Sequence, residues 1–405
     1  MIKKRTPARS LAAFLVAVTL PVGATVAVAA GEKYAPGVTD TEIKIGQSAA
    51  YSGPAAVVGT MTRAHADYFK MINEQGGVNG RTLKVISLDD GFNPARTVAN
   101  ARTLVEDDHV AFMFGTTGDP TNLAILPYLR KRGVPLLFPI SGSRNFYDPK
   151  DNPQVVGWYP TYYLDGRLKA RYLLKHAPSA KIGVLYENDA FGREHVAGLM
   201  DGLGGRAGGM VVAQASYEPT DATVDSQIIQ LQQSGANTLY LIALSKFDAQ
   251  AIRKADEIGW KPLRLLDYTG QSLEGMLKLA GLQRSIGIVS HAFLKDPNDP
   301  KIQRSPELKT FLTWEKTYDP EAVPSDANIV AAYAQAITLV DVLRNCGNDL
   351  TRDNIVHQAT TLHDLHLPMV FETLGNNQHG YELYHDMLTE RFDGKEWVIL
   401  PPSEQ

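Results

Sequence analysis

Three loops in the first half of the chain combine hydroxyls with glycines: Tyr51-Ser52-Gly53-Pro54, Thr116-Thr117-Gly118-Asp119-Pro120-Thr121 and Ile140-Ser141-Gly142-Ser143. Backbone N–H and side-chain O–H groups in such loops can converge on one small acceptor, for example a carboxylate. Capping of a following helix explains any single serine equally well. In the second half, Glu187-Asn188-Asp189-Ala190-Phe191-Gly192, Ala243-Leu244-Ser245-Lys246-Phe247 and Asp267-Tyr268-Thr269-Gly270 offer carboxylates and aromatic faces instead. Signals for covalent chemistry are thinner. Asp89-Asp90 and Asp107-Asp108 pair carboxylates, and acid–base catalysis needs such groups in a shared cleft with perturbed environments. Only Asp89-Asp90 falls at the carboxyl edge of a strand-like run, which leaves an exported hydrolase or lyase, with either residue as general base, as the alternative class. His363-Asp364-Leu365-His366 could set two imidazoles on one helical face for a metal, but a third ligand is not evident nearby and solvent-facing polar residues are the better account. Gly202-Leu203-Gly204-Gly205-Arg206-Ala207 spells a dinucleotide fingerprint, yet it follows a helix and precedes a strand, so it reads as a helix cap and turn. Neither a Walker-type loop nor a Gly-x-Ser-x-Gly elbow is present, and no cofactor or metal is expected.

The elements that must carry these loops alternate. Strand-like runs at 43–46, 83–88, 110–115 and 134–139 are separated by helix-like segments at 55–75, 94–107 and 121–131. After an irregular, aromatic-rich stretch at 144–164 containing Pro149, Pro153 and Pro160, a second series begins, with strands at 181–186, 210–213, 238–243 and 263–266 and helices at 192–203, 223–233 and 248–258. Strand–helix alternation implies right-handed crossovers and parallel sheets covered on both faces, an α/β fold. The Pro-rich break suggests two lobes in place of one continuous sheet. Another strand at 287–290 leads to helices at 306–317 and 326–345, and Asp393-Gly394 within 391–399 reads as the turn of a hairpin. In open α/β sheets ligands sit beyond the carboxyl ends of strands, which is where the loops named above fall.

The chain has 405 residues, 44% hydrophobic and 21% charged, ample for two medium domains. With 40 basic against 44 acidic side chains it offers no footprint for nucleic acid. The lone Cys346 allows no internal disulfide and no thiolate metal cluster. Residues 1–30 run from Lys3, Lys4, Arg5 and Arg9 through a short apolar stretch to Ala27-Val28-Ala29-Ala30, the pattern of a cleaved signal peptide, with a membrane anchor as the alternative. Its removal leaves 36 basic against 44 acidic groups, a net charge near -8. The mature chain is expected to work free in an exported compartment, with no insertion into the membrane.

Several strings together carry a resemblance: Ile43-Lys44-Ile45-Gly46 followed by Ser52-Gly53-Pro54, then Asn73-Glu74-Gln75-Gly76-Gly77-Val78-Asn79-Gly80-Arg81, Asp89-Asp90, Gly133-Val134-Pro135-Leu136 and Tyr186-Glu187-Asn188-Asp189-Ala190-Phe191-Gly192. Over nearly the whole mature chain this resembles the periplasmic ligand-binding proteins of branched-chain amino acid ABC transporters. The resemblance implies two Rossmann-like three-layer lobes with parallel sheets, joined by a three-segment hinge, with residues 31–158 plus 292–379 in one lobe and 159–291 plus 380–405 in the other. It also implies a monomeric periplasmic receptor that closes on a small ligand without covalent chemistry and hands it to permease subunits; a sensor of the same fold is a third possibility. The family's carboxylate cradle is similar to Thr117, Gly118 and Asp119 plus Ser141, Gly142 and Ser143, where Gly118 and Asp119 stand in positions that often hold serines. Phe191 matches an aromatic that covers the ligand, and Tyr163 and Trp158 are expected to add wall. The acid that often neutralises the ligand ammonium is replaced by Thr269, with Asp267 or Asp189 as substitutes. Ser52 and Leu244 complete the expected site. If Asp189 or Asp267 faces the cleft, a hydrophobic amino acid fits; if neither does, an aromatic or other organic acid is preferred.

Overall fold

The computed structural model describes residues 1–2, 34–320, 326–372, 374–376 and 381–405. The leader reading therefore falls almost wholly outside the described residues, which hold no helix long and apolar enough to cross a membrane.

The first sheet comprises β1 (Glu42–Ala49), β2 (Thr82–Asp89), β3 (Phe112–Phe114), β4 (Leu136–Leu137) and β5 (Val155–Val156), all parallel in the order β2-β1-β3-β4-β5. The helices that cross between these strands are α1 (Gly59–Glu74), α2 (Pro94–Arg102) and α3 (Asp119–Arg132). Local chemistry sets their ends. Asn93 accepts hydrogen bonds from the N–H groups of Ala95 and Arg96 with Pro94 at the first helical position, and α3 stops at Gly133 in a left-handed conformation.

The second lobe repeats the scheme. Its strands are β6 (Ile182–Glu187), β7 (Val211–Tyr217), β8 (Thr238–Ile242), β9 (Leu263–Leu266), β10 (Val289–Ala292), β11 (Leu388–Phe392) and β12 (Trp397–Ile399), in the order β12-β11-β10-β9-β8-β6-β7. Read from β7 to β10, this is the parallel order of the first sheet; β11 and β12 add the antiparallel hairpin expected around Asp393-Gly394. In both sheets the order reverses beside the first strand of the series, and the resulting crevice is where this topology takes ligands.

The chain crosses between the sheets three times: between β5 and the next helix, α4 (Tyr162–His176), after β10, and before β11. After the second crossing the helix Ala327–Asn345 packs against α1 and is buried on nearly every side. From the first crossing, Trp158 donates its indole N–H to Thr338 Oγ1 of that helix at 2.9 Å. Trp158 is therefore core, not ligand wall.

Two local expectations are corrected, and the metal alternative weighed for His363 and His366 finds no helix beneath it. The stretch at 144–164 is not wholly irregular: it contains β5 and the start of α4, capped by Thr161, whose Oγ1 accepts from Leu164 N–H. A further helix, Arg352–Thr360, forms after 326–345, where none was expected. His363 and His366 share no helical face, because residues 361–366 are not helical and Asp364 has φ of 51°. Helix α4 packs closely on α5 (Ala190–Leu203), and glycines make that approach possible: a Cβ on Gly166 would lie 2.2 Å from His195 O, and one on Gly198 would lie 2.2 Å from Tyr163 O.

Candidate ligand-binding site

Loops at the carboxyl ends of β1, β3 and β4 face those of β6, β8 and β9 across a cavity of about 140 Å³. From the first lobe come Thr117, Gly118 and Asp119 after β3, and Ser141 and Gly142 after β4. The second lobe contributes Glu187, Asp189 and Phe191 around the start of α5, Leu244 after β8, and Tyr268 and Thr269 after β9. Tyr159 and Tyr162 enter from the first crossing and Phe293 from the second.

The β3 loop shows how sequence fixes the wall. Gly118 has φ of 88° and caps α3, and a Cβ there would lie 2.3 Å from the Phe92 ring, so only glycine lets Phe92 close over the loop. Thr117 Oγ1 is buried without a hydrogen-bond partner among the described residues, an unused donor at the cavity edge. Asp119 follows, wholly buried. It accepts Ser141 Oγ–H at 2.5 Å and the Tyr162 hydroxyl at 3.0 Å. Burial, then the charge of Asp189, pushes its carboxyl well above the usual carboxylate range against those two donors, with Glu194 adding to the rise. The expected carboxylate cradle thus already contains a carboxylate.

Two more acids stand opposite. Asp189 caps α5 through Gly192 N–H, and burial raises its carboxyl. Glu187 accepts the Tyr217 hydroxyl at 2.6 Å and is raised well above its ordinary value by burial and then by Asp189. No Lys, Arg or His occurs among the described residues of the lining.

The aromatic floor is held rigidly. Tyr162 stacks on His195 with ring centroids 4.8 Å apart, Phe191 meets Tyr162 edge-on at 5.1 Å, and Tyr268 donates to Pro160 O at 2.7 Å. Beneath it lies a buried ionic cluster. Asp165 of α4 receives Lys169 Nζ at 2.8 Å, His291 Nδ1 at 2.7 Å and the Tyr240 hydroxyl at 3.1 Å, and His195 Nε2 lies 3.3 Å away.

Of the fourteen residues singled out from sequence, Thr117, Gly118, Asp119, Ser141, Gly142, Asp189, Phe191, Leu244 and Thr269 line the cavity. Trp158 is in the core, as described above, and four more lie off the lining. Ser52 is exposed and donates its hydroxyl to Asp89 Oδ2 at 2.7 Å. Ser143 is buried and donates to Glu194 Oε1 at 2.7 Å, securing the turn after Gly142. Tyr163 lies under the Arg144 guanidinium, 3.9 Å from its ring centre, on an outer groove; one step along α4 turns it about 100° away from Tyr162. Asp267 turns one oxygen to the N–H and hydroxyl of Thr269, so Thr269 reaches the lining and Asp267 does not. The lining also includes Tyr159, Tyr162 and Phe293, which sequence reasoning missed, and Glu187 and Tyr268, which it named only as members of their loops. A helix start at Thr161, after Pro160, is the signal that would have selected Tyr162 over Tyr163.

The alternative general bases are committed elsewhere. Asp90 is fully buried and accepts from Ser48 and Thr97 hydroxyls and Phe92 N–H, and Asp89 is tied to Ser52 and Arg96.

A family model described as periplasmic binding protein matches residues 42–390. The chain belongs to that family. It is a type I periplasmic binding protein, of the group that includes the branched-chain amino acid receptors, and these are substrate-binding proteins rather than enzymes. Among curated relatives, Leu/Ile/Val-binding protein homolog 7 of Brucella suis biovar 1 is 25% identical over 238 residues, 56% of this chain and 59% of that protein. The chain therefore matches less than two thirds of that relative's length. The fatty acid ABC transporter substrate-binding protein from Thermomonospora curvata superposes with a TM-score of 0.77 at 19% identity, covering 91% of this chain and 93% of that one. LivJ from Streptococcus pneumoniae in complex with isoleucine gives 0.74 at 15% identity, covering 88% and 98%. These likenesses carry the two-lobed fold. Family membership places this periplasmic binding protein outside the cytoplasm.

Proposed function

We propose that this periplasmic binding protein captures a small hydrophobic amino acid between its lobes and delivers it, as a monomer, to the permease of an ABC transporter. The carrying observation is the charge of the lining: Asp119, Glu187 and Asp189, with no basic side chain among the described lining residues. An organic acid lacking an ammonium group would leave Asp189 and Glu187 without a counterion and would meet no cation among the described lining residues, whereas an ammonium group finds Asp189 and Glu187 at one end and aromatic faces beside them. Phe191, Tyr162, Tyr268, Phe293 and Leu244 supply an apolar wall for the side chain. Thr117 Oγ1, unpartnered among the described residues, supplies a donor for the carboxylate at the Asp119 end of the cavity. The isoleucine bound by the streptococcal neighbour is in keeping with this class. We assign residues 31–158 plus 292–379 to one lobe and 159–291 plus 380–405 to the other, and residues 1–30 to a cleaved export signal.

A thermal-shift panel of leucine, phenylalanine, 4-methylpentanoate and benzoate tests the ligand class. The amino acids are expected to raise stability by about 2.7 kcal/mol at a hundred times the dissociation constant, and the two acids are expected to give no shift. Stabilisation by the acids and not by the amino acids would overturn the assignment.

A further inference from the structure

One feature of the cleft conflicts with simple capture of a zwitterion: a carboxylate ligand that takes the free Thr117 hydroxyl arrives beside the side chain of Asp119. An ionised Asp119 could only repel it. Among the described residues of the lining no cation is present to reverse that. Ser141 Oγ–H, from the β4 loop, and Tyr162 O–H, from α4, occupy one oxygen each. From the second lobe the charged groups that bear on it are all acids, Asp189 at the cap of α5, Glu194 within α5 and Glu187 at the end of β6. Arg144 is turned to Glu194 at 3.6 Å and to the Tyr163 ring, and His195 of α5 stacks on the Tyr162 ring with its Nε2 directed to Asp165 at 3.3 Å. Each Asp119 oxygen has a second lone pair, and a proton on either makes the group a donor.

Resting on the amino-acid reading above, we propose that Asp119 works as a neutral carboxylic acid that donates a hydrogen bond to the ligand's carboxylate, so that the ligand is held together with one proton. The balance is simple: one proton resides on an Asp119 oxygen, shared toward the ligand carboxylate, and no covalent bond changes. Opposite it, the Asp189–Glu187 pair must carry one negative charge to meet the ammonium, giving up its second proton to solvent where both are protonated. The burial of Asp119 and the charge of Asp189, which raise its carboxyl, act in the direction this requires.

The test measures leucine and phenylalanine affinity between pH 5 and pH 8.5 by calorimetry, alongside a carboxyl-carbon NMR titration of the ligand-free protein with labelled aspartate. A bell-shaped affinity profile is expected, its alkaline limb falling toward about tenfold per pH unit. Asp119→Asn, which keeps an N–H donor and cannot ionise, should show no alkaline limb, its affinity staying level from the optimum to pH 8.5; Asp119→Ser should likewise lose the limb. In the NMR titration, one resonance absent from Asp119→Asn should titrate above the ordinary aspartate range. A flat profile, or loss of binding by more than a hundredfold in Asp119→Asn, would overturn the proposal; the second result would identify the ligand as a cation held by an ionised Asp119. If neither amino acid binds at any pH, the amino-acid reading fails by itself, and the NMR arm still decides: an Asp119 resonance titrating in the ordinary range overturns the neutral-acid role.

Discussion

Asp119 and Asp165 are both wholly buried, both accept a hydrogen bond from a tyrosine, and both touch helix α4, yet their ionisation runs in opposite directions. At Asp165 burial opposes the charge but is outweighed by Lys169 and then by His195 and His291, so the carboxyl lies well below its usual range. At Asp119 the neighbouring charges are acids, and the carboxyl lies well above it. The difference teaches how the fold divides its work. Under the floor, a charge is taken out of water with its counterion supplied by the chain. On the cleft wall, acids are taken out of water with no cation from the chain, so burial favours their neutral forms and any charge there waits for the ligand's.

The largest effect should come from breaking the paired side. Lys169→Met leaves Asp165 buried without its cation and is expected to cost about 3–5 kcal/mol of folding stability, read by chemical denaturation. Asp165→Asn added to Lys169→Met should recover a large part of that loss, since it removes the stranded charge. A loss below about 1 kcal/mol in the single variant would show that His195 and His291 suffice as partners.

Removing an acid from the unpaired side should act the other way on stability and strongly on binding. Asp189→Asn is expected to weaken amino-acid affinity by about 2–5 kcal/mol, measured by calorimetry, while leaving the empty protein as stable as the parent or more so. The pH dependence follows from the direction of the shifts. Asp189, raised in the fold, binds more protons folded than unfolded once pH exceeds about 4, so its contribution to stability falls as pH rises to the raised value. His291, pushed down to about 4 by burial and Lys169, acts oppositely: stability rises with pH between about 4 and 6.5 as the unfolded imidazole gives up its proton. The parent profile mixes the two trends. The difference between parent and Asp189→Asn cancels the His291 trend and leaves that of Asp189 with the rise it imposes on Asp119 and Glu187, and the variant's relative stability should grow as pH rises above about 4. A difference that shrinks over that range would mean that Asp189 has a cation near it.

The alternation of strands and helices was legible because most core positions carry apolar side chains with the right period: Ile43 and Ile45 in β1, Phe112 to Phe114 in β3, and every residue of β8. Helix α4 was not, and the reason is the same cluster that holds Asp165. Two of its core-facing positions are Asp165 and Lys169, which read as polar surface until their mutual pairing is known. The loops of the site followed from the rule that ligands sit beyond strand carboxyl ends. What sequence could not supply was which of two adjacent residues turns inward, as with Tyr162 against Tyr163 and Thr269 against Asp267. A shift of one residue reverses the side of the wall, and only packing fixes it. The charge of the cleft was hidden for another reason: Asp119, Glu187 and Asp189 are unremarkable singly and become a group only when two lobes face each other.

The smallest effects are expected where a residue matches the sequence pattern but not the wall. Ser52→Ala removes a hydroxyl from Asp89, whose carboxyl also receives the N–H groups of Tyr51, Ser52 and Gly91 and the Arg96 guanidinium. With those donors left, the change should cost about 1 kcal/mol of stability or less and leave affinity within about twofold. Tyr163→Leu forfeits the contact with Arg144 on the outer groove, where an exposed cation–aromatic pair contributes about 0.5–1 kcal/mol, again with affinity unchanged by calorimetry. A tenfold loss of affinity in either variant would mean that the liganded form draws that residue into the cleft. The division between a wall that waits for its counterion and a frame that carries its own would then have to be redrawn around the moving lobe.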